Sequence, residues 1–352
     1  MNFTEDDIRA ATAAGILNEA QATRLMTLIH QRAGRIAKGM PEDEPFELFK
    51  GFAEIFVSLG LILLISSAVT FAAVAGGVFA ITLGLAAMCW VAGLYFTIKR
   101  RMTLPSIVLV TGYSTGIGSF IAWLLDTIGI GDSGLGIVAL GLLGIVAMLV
   151  HFRKFHVPFS MFLAGLYGIL VVFGFTAEIS LDDMFDSDFD TLFDLRQGSS
   201  FAFATLVFGL CAFAAGLWFD LRDPHRVGRM ARSAFWLHLL AAPAMVNTVM
   251  MTAYNVQGAA GMVLTILGLA LVTVFALIID RRSFLTAGLG YLAAIIFSLL
   301  QQGGGDLSVP TLMLVLGGIV TYLGTFWTNL RVRLMTALPD FPGKTRLPPY
   351  SE

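Results

Sequence analysis

This sequence contains few charged residues, and long stretches of it contain none. Charged residues make up 13% of the 352 positions, whereas soluble domains carry about a quarter. Hydrophobic residues reach 57%. Apolar runs of about eighteen or more residues are candidates for membrane-spanning helices. The shortage of charge therefore excludes an ordinary soluble domain and predicts a membrane protein.

Cysteine and nucleotide-binding motifs are also scarce or absent. Cys89 and Cys211 lie inside predicted helices, which argues against a disulfide, and two isolated thiols make no metal site. The phosphate-binding pattern G-x-x-x-x-G-K-[ST] does not occur. No Asp, Glu, Lys or Arg lies near the middle of an apolar run, although ion-coupled carriers and channels for charged solutes usually need such groups. We therefore expect no cofactor.

Ten apolar runs are long enough to cross a bilayer. They are continuous and rich in Leu, Ala, Gly and Phe, which favours helices over the alternating strands of a membrane barrel. The first begins only after some fifty residues and is not a signal peptide. The predicted fold is an all-α, polytopic transmembrane bundle of ten spanning helices arranged as five hairpins. The runs are 54–75, 78–98, 103–125, 135–151, 157–177, 199–219, 233–253, 259–279, 283–300 and 311–330.

Basic residues mark one side of the membrane. Every one of the 22 Lys and Arg residues except Arg196 falls on the same side of the predicted bundle, and acidic residues dominate the other. Short loops rich in Lys and Arg face the cytoplasm. We therefore expect both chain termini to be cytoplasmic. The basic clusters that separate the hairpins end at Lys50, Arg101, Lys154, Arg232, Arg282 and Arg333.

Two further parts flank the predicted bundle of residues 46–333. Residues 1–45 predict a cytoplasmic helical hairpin, and residues 334–352 a Pro-rich cytoplasmic tail. Two short helices bury too little to be stable alone, so the hairpin should pack on a partner, on a second copy or on the membrane. Eight acids against six bases in residues 1–50 oppose nucleic-acid binding. Its apolar stripe consists of Leu25, Leu28, Ile29 and Ala33.

Several predicted helices begin in a similar way. Helices 3 and 5 each follow a basic cluster and a proline, and Gly112 and Gly165 come eleven residues after Arg101 and Lys154 respectively. Helix 9 offers a looser match. The pattern indicates either a degenerate repeat of packed hairpins or a shared apolar composition.

The first hundred residues resemble a group of uncharacterised bacterial membrane proteins. These proteins have a short N-terminal region of unknown function ahead of a polytopic region. The resemblance implies a bacterial inner-membrane setting and supplies no catalytic residues. It lies in Ile8…Ala14-Gly15-Ile16-Leu17…Ala20-Gln21…Leu25 and in Phe52…Leu59-Gly60-Leu61-Ile62-Leu63.

The acidic outer segment 178–198 allows two interpretations. Asp186, Asp188, Asp190 and Asp194 match four liganding positions of a calcium loop, but Thr191 and Gln197 replace its glycine and its bidentate glutamate. An amphipathic helix on the outer membrane surface fits better. A partner-docking or flexible loop is the third possibility. The apolar face of that helix would hold Phe185, Phe189, Leu192 and Phe193.

The segment 112–116 matches the G-x-S-x-G pattern of serine hydrolases. That pattern works on a strand-to-helix turn, whereas here it lies inside an apolar run. Gly112 and Gly116 instead predict a small-residue surface for close helix packing. The competing hypothesis is a dyad of Ser114 with His238, a histidine inside predicted helix 7.

Helix 7 carries the most informative polar residues within the predicted bundle. His238 and Asn247 flank Pro243, which can kink the helix and free a backbone carbonyl. With Tyr291 of helix 9 they form a candidate ligand site, because polar residues inside membranes can mark function. Alternatively, they bond neighbouring helices.

These features favour a non-enzymatic membrane protein. We expect a scaffold, accessory or sensor protein that contacts the lipid bilayer and binds a protein partner or a second copy through residues 1–45 and the outer acidic segment. The alternative is a carrier or flippase for a neutral or lipid-like solute.

Overall fold

The ten predicted helices are present. Within the described residues the chain forms ten long α-helices and no strand, so the predicted all-α fold is confirmed. The computed structural model describes residues 52–75, 78–176, 192–197, 200–222, 229–256, 258–302 and 308–344, with a few isolated positions before and after them. The helices are α1 (Phe52–Ala75), α2 (Val78–Gly93), α3 (Thr103–Thr127), α4 (Gly134–Phe155), α5 (Phe159–Phe175), α6 (Ser200–Asp220), α7 (Arg229–Tyr254), α8 (Ala259–Ile279), α9 (Ser283–Gln302) and α10 (Ser308–Ala337).

Two predicted segments fall mainly outside the described residues. Of the hairpin 1–45 only isolated positions are described, among which the N–H groups of Ile16 and Leu17 both donate to the carbonyl of Ala11. The acidic segment is described only from residue 192 to residue 197.

The helices belong in a membrane. Eight of them are long and apolar enough to cross one. The other two apolar stretches, α5 and Ser283–Ala293 within α9, are shorter. Large apolar side chains cover the outside of the bundle, and soluble monomers rarely expose such continuous patches. The protein is therefore an integral, multi-pass membrane protein. Side chains of this kind on α1 and α8 include Phe52, Phe56, Leu63, Phe71, Val74, Val263, Leu267 and Leu271.

Three short turns at one end of the bundle share a backbone conformation. They connect α2 to α3, α4 to α5, and α8 to α9, and we call this end the basic end. Each turn contains one non-glycine residue with a positive φ: Arg101 (54°), His156 (54°) and Asp280 (56°). This left-handed conformation reverses the chain directly after a helix. The sequence similarity at the starts of helices 3, 5 and 9 therefore coincides with a repeated turn.

The closest helix packing occurs between helices that are connected at the basic end. The pairs α2–α3, α4–α5 and α6–α7 make the most extensive contacts. One apolar core lies among α1–α5, around Leu109, Val110 and Met148, and another among α6–α10. The two cores meet where Gly165 of α5 faces Leu240 of α7.

α1 is attached to the bundle by a narrow face that includes a carboxylate. Glu54 is buried, and its Oε2 accepts the N–H groups of Thr103 and Leu104 at 3.0 and 3.1 Å. The first N–H groups of a helix have no partner within that helix, and a carboxylate there also meets the positive end of the helix dipole. Glu54 therefore caps α3 from a neighbouring helix.

The small-residue surface predicted at Gly112 and Gly116 is confirmed. A Cβ atom at Gly116 would lie 2.7 Å from the backbone nitrogen of Ala86 and 2.8 Å from the carbonyl oxygen of Thr82. A Cβ atom at Gly112 would lie 2.7 Å from Sγ of Cys89. Backbone of α3 thus packs directly on backbone of α2, which only glycine allows at this distance.

This contact predicts opposite effects for two glycine substitutions. Gly116→Ala should destabilise the protein by roughly 1–3 kcal/mol, because neither backbone can move aside without disturbing its helix. Gly84→Ala on α2 is the control, since its Cβ atom would meet nothing within 4 Å and alanine favours helix. Thermal unfolding of both variants in one mild detergent measures the difference. An equal effect of the two substitutions would contradict the close contact.

Candidate functional site: a buried charge network at the basic end

The most unusual feature of the bundle is a buried ion pair between Asp220 and Arg281. Asp220 is the last residue of α6, and Arg281 lies in the turn between α8 and α9. Nε of Arg281 donates to Oδ2 of Asp220 at 3.1 Å, and Nη2 donates to Oδ1, so the pair is bidentate. Nη2 also donates to the carbonyl of Ala231 at 3.1 Å. The side chain of Asp220 is 4% exposed and that of Arg281 is 0% exposed.

His238 joins this pair from α7. Its Nε2 lies 2.9 Å from Oδ2 of Asp220, and because an ionised carboxylate can only accept, Nε2 donates. The imidazole ring packs on the backbone of α6, where a Cβ atom at Gly216 would lie 2.9 Å from Cε1 of His238. The ring centroids of Phe213 and Phe284 lie 5.5 and 5.8 Å from the centroid of the imidazole ring. His238 is thus fully buried and does not face the membrane interface.

The turn 280–282 continues the network towards α10. Nε1 of Trp327 donates to Oδ1 of Asp280 at 2.7 Å. Nε of Arg331 lies 3.8 Å from the same oxygen and donates to the carbonyl of Leu277 at 3.1 Å. Nη2 of Arg331 donates to the carbonyl of Pro348 in the C-terminal tail at 2.6 Å. One turn therefore connects α6, α7, α10 and the tail.

The charges of the network are balanced. Asp220 faces Arg281, and Asp280 faces Arg331. Charges in a medium of low dielectric constant are tolerated only when they are paired and hydrogen-bonded. An aspartate that orients a histidine also occurs in hydrolases, where the histidine must reach a nucleophile and a substrate. His238 is covered by phenylalanine rings, so the arrangement serves to hold helices together.

A second histidine is buried in the α1–α5 half. Nδ1 of His151 on α4 lies 3.0 Å from Oγ of Ser160 on α5. The imidazole ring is surrounded by the rings of Trp90, Tyr113 and Phe155, with centroids 5.9, 5.2 and 4.5 Å away. This hydrogen bond links the two helices of one hairpin.

Ser114 on α3 is hydrogen-bonded to Tyr167 on the neighbouring helix α5. Its hydroxyl donates to Oη of Tyr167 at 3.2 Å, and Tyr167 donates to the carbonyl of Ser114 at 2.8 Å. The Tyr167 side chain is enclosed by Gly118 and Gly144, where a Cβ atom would overlap it. The segment 112–116 is helical throughout. Ser114 and His238, the two members of the hypothetical dyad, thus bind different partners.

The candidate ligand residues are divided between two places. Tyr291 donates through Oη to the backbone oxygen and Oδ1 of Asn247, both at 3.3 Å. His238 precedes Asn247 by nine residues on α7, which corresponds to about 13 Å along the helix. α7 remains helical through Pro243. Asn247 and Tyr291 therefore meet between α7 and α9, while His238 belongs to the charge network.

Of the four candidate calcium ligands, Asp194 lies in the described residues, and its carboxylate is hydrogen-bonded within the protein. Oδ1 of Asp194 accepts the N–H of Arg196 at 2.9 Å, and Oδ2 accepts Nδ2 of Asn255 at 3.1 Å. Nη1 of Arg196 donates to the carbonyl of Asn255 at the end of α7. Asp186, Asp188 and Asp190 lie outside the described residues. Elsewhere in the described chain no three His, Cys, Asp or Glu side chains gather as a metal site.

Sequence reasoning overlooked Asp220 and Asp280. A signal was available, because both acids directly follow apolar helices on the side where basic residues dominate. Each is followed within two residues by an arginine, Arg222 or Arg281. The sequence does not show which arginine pairs with which acid, since Arg281 is 61 positions from Asp220.

Comparison with known proteins gives no relative. Neither the protein-family models, nor the curated proteins, nor the solved structures contain a match to this chain. The resemblance to bacterial inner-membrane proteins therefore stays a prediction.

The ion pair predicts strong coupling between two substitutions. Asp220→Asn and Arg281→Gln should each destabilise the protein by about 3–5 kcal/mol, because each leaves a buried charge without its counter-charge. The double variant should lose less than the sum, since neither charge then remains. Unfolding by sodium dodecyl sulfate, followed by circular dichroism, measures the three variants.

Asp340→Asn is the control for this comparison of the two single variants with the double variant. Asp340 is 99% exposed and pairs with Lys344 at 3.2 Å near the same end of the chain. Its loss should change stability by less than about 1 kcal/mol. Strict additivity of Asp220→Asn and Arg281→Gln would contradict a direct pair.

Proposed function

We infer that this protein is a non-enzymatic membrane scaffold, accessory or sensor protein, and that it acts by binding partners. The observation that supports this function is the internal pairing of its buried charges. Every buried charged side chain in the described residues forms a hydrogen bond within the chain. They are Glu54, Asp194, Asp220, Asp280, Arg281, Arg331 and Lys344.

Several hydroxyl groups within the helices support the same interpretation. Thr111, Thr248 and Thr265 donate to the carbonyl four residues earlier in their own helices, at 2.8–2.9 Å. A carrier of polar solutes needs groups that exchange a bond to the protein for a bond to the solute. Hydroxyls that are bound to the backbone of their own helix are already satisfied and are not available to a solute.

A carrier or flippase for a neutral or lipid-like solute is the second candidate. The meeting of Asn247 and Tyr291 between α7 and α9 favours it, because both bonds are long and Pro243 interrupts the backbone pairing of α7 nearby. A lipid-like solute would need few polar contacts of this kind. The internal pairing of the charged groups makes it the weaker proposal.

The partner-binding surfaces would lie outside the bundle. From the sequence, the apolar stripe of residues 1–45 and the acidic segment 178–198 are predicted to provide amphipathic surfaces on opposite sides of the membrane. The first surface suits a protein partner or a second copy. The setting that we propose is a bacterial inner membrane with both termini in the cytoplasm, according to the distribution of Lys and Arg.

Disrupting the N-terminal stripe tests the proposed function. Leu25→Asp with Ile29→Asp should abolish self-association or release a co-purifying protein, because two carboxylates cannot enter an apolar interface. Native mass spectrometry of the full chain in mild detergent reports both. Thr23→Asp with Thr27→Asp is the control, which adds the same charge on the opposite face of the predicted helix. A wild-type spectrum that contains only single chains, unchanged in both variants, would count against a scaffold.

Cysteine labelling tests the orientation. A membrane-impermeant maleimide on intact cells should label Asp132→Cys and should label Lys154→Cys only after the cells are permeabilised. Both positions are exposed, and they lie at opposite ends of α4. The unsubstituted chain gives the background from Cys89 and Cys211. The reverse pattern would place the basic end outside the cell.

A further inference from the structure

The end of α2 has an uncommon backbone that brings two cations to one tyrosine. After Gly93 the helix continues as a π-helix over Leu94–Lys99, and the N–H of Arg100 donates to the carbonyl of Tyr95 at 2.9 Å. In an α-helix a residue five positions on points away from the first. The wider π turn places Arg100 above Tyr95 together with Lys99, and such turns are frequent at functional sites.

Tyr95 orients these two cations. Its Oη accepts Nε of Arg100 at 3.1 Å. Nζ of Lys99 and Cζ of Arg100 each lie 5.6 Å from the centre of its ring, within the range of cation–π attraction. Tyr95 is 42% exposed, and both cations are exposed as well. The bond from Nε uses one of the five N–H donors of the Arg100 guanidinium group.

The surroundings of this group are positive. Arg101 follows directly, and no carboxylate of the described residues forms an ion pair with Lys99, Arg100 or Arg101. The nearby acid, Glu54, is buried and caps α3 through its bonds to Thr103 and Leu104. Its charge is thus directed at the N-terminus of a helix and away from the exposed cations.

A neighbouring helix adds further basic residues at the same level. Phe155, at the end of α4, packs on Gly93, where a Cβ atom would lie 3.0 Å from Cε1 of the phenylalanine. Arg153 and Lys154 precede it, and both are exposed. By contrast, Arg281 and Arg331 in the other half are buried and paired with aspartates. The exposed bases beside α2 and α4 thus include Lys99, Arg100, Arg153 and Lys154.

The chemistry of this group matches a phosphate at the membrane surface. We propose that Tyr95, Lys99 and Arg100 bind the phosphate of an anionic phospholipid at the basic end of the bundle. The site lies at the end of a membrane-spanning helix, where tyrosine is common and where lipid headgroups begin. Arginine binds phosphate through paired N–H groups, lysine adds a second charge, and anionic headgroups attract clustered bases.

The test measures lipid binding to the full chain in mild zwitterionic detergent. Phosphatidylglycerol is titrated and the bound lipid is counted by native mass spectrometry. Lys99→Gln with Arg100→Gln should weaken the tightest binding roughly tenfold or more, because two charges at the phosphate are lost. Tyr95→Phe removes only Oη and should give a smaller loss, which tests the site even if the double variant does not fold.

The control removes the same charge elsewhere at the same end. Arg222→Gln with Arg333→Gln should leave the tightest binding nearly unchanged. Cζ of Arg222 lies 3.6 Å from the centre of the Trp218 ring, and no other cation of the described residues lies over that ring. Phosphatidylcholine and inorganic phosphate should not displace the lipid. An equal loss in both double variants would show an effect of overall charge and would overturn the site. Displacement by inorganic phosphate at the same concentration would assign the group to a soluble anion and would overturn it too.

Discussion

The pairing of Arg281 with Asp220 is the interaction on which the second half of the bundle depends. A charge that is removed from water needs a counter-charge and hydrogen bonds, and here both come from the same chain. Because Arg281 lies in a three-residue turn, the pair fixes that turn against the end of α6. His238 then adds α7, and the neighbouring Asp280 adds α10 through Trp327. The network therefore joins these helices to one another at the basic end of the bundle.

The interactions that hold the helices together differ between the two halves of the bundle, α1–α5 and α6–α10. In α1–α5, helices approach through glycines, and their buried polar contacts include the hydroxyl pair Ser114–Tyr167 and the cap of α3 by Glu54. In α6–α10, the equivalent end is held by charged pairs. At the surface, Lys99 and Arg100 of the first half are exposed, whereas Arg281 and Arg331 of the second half are buried and paired with aspartates.

The internal satisfaction of polar groups also bears on activity. Side chains that attracted functional hypotheses, among them Ser114, His238 and Asp194, each bind another part of the chain. Such groups stabilise a particular arrangement of helices, and a stable membrane-embedded framework is what a partner-binding protein needs.

The sequence by itself determined the ten helices, their approximate ends, the close packing at Gly116 and the segregation of basic residues to one end. These properties are local, because an apolar run in a bilayer must satisfy its backbone within the helix, and a missing Cβ atom permits close contact wherever a neighbour lies. Only the tertiary structure decided that Arg281 reaches Asp220, that His238 is buried, and that a π turn brings Arg100 to Tyr95. These depend on which helices become neighbours and on how one turn is wound. The partner of a charge 61 residues away is set by the packing of whole helices.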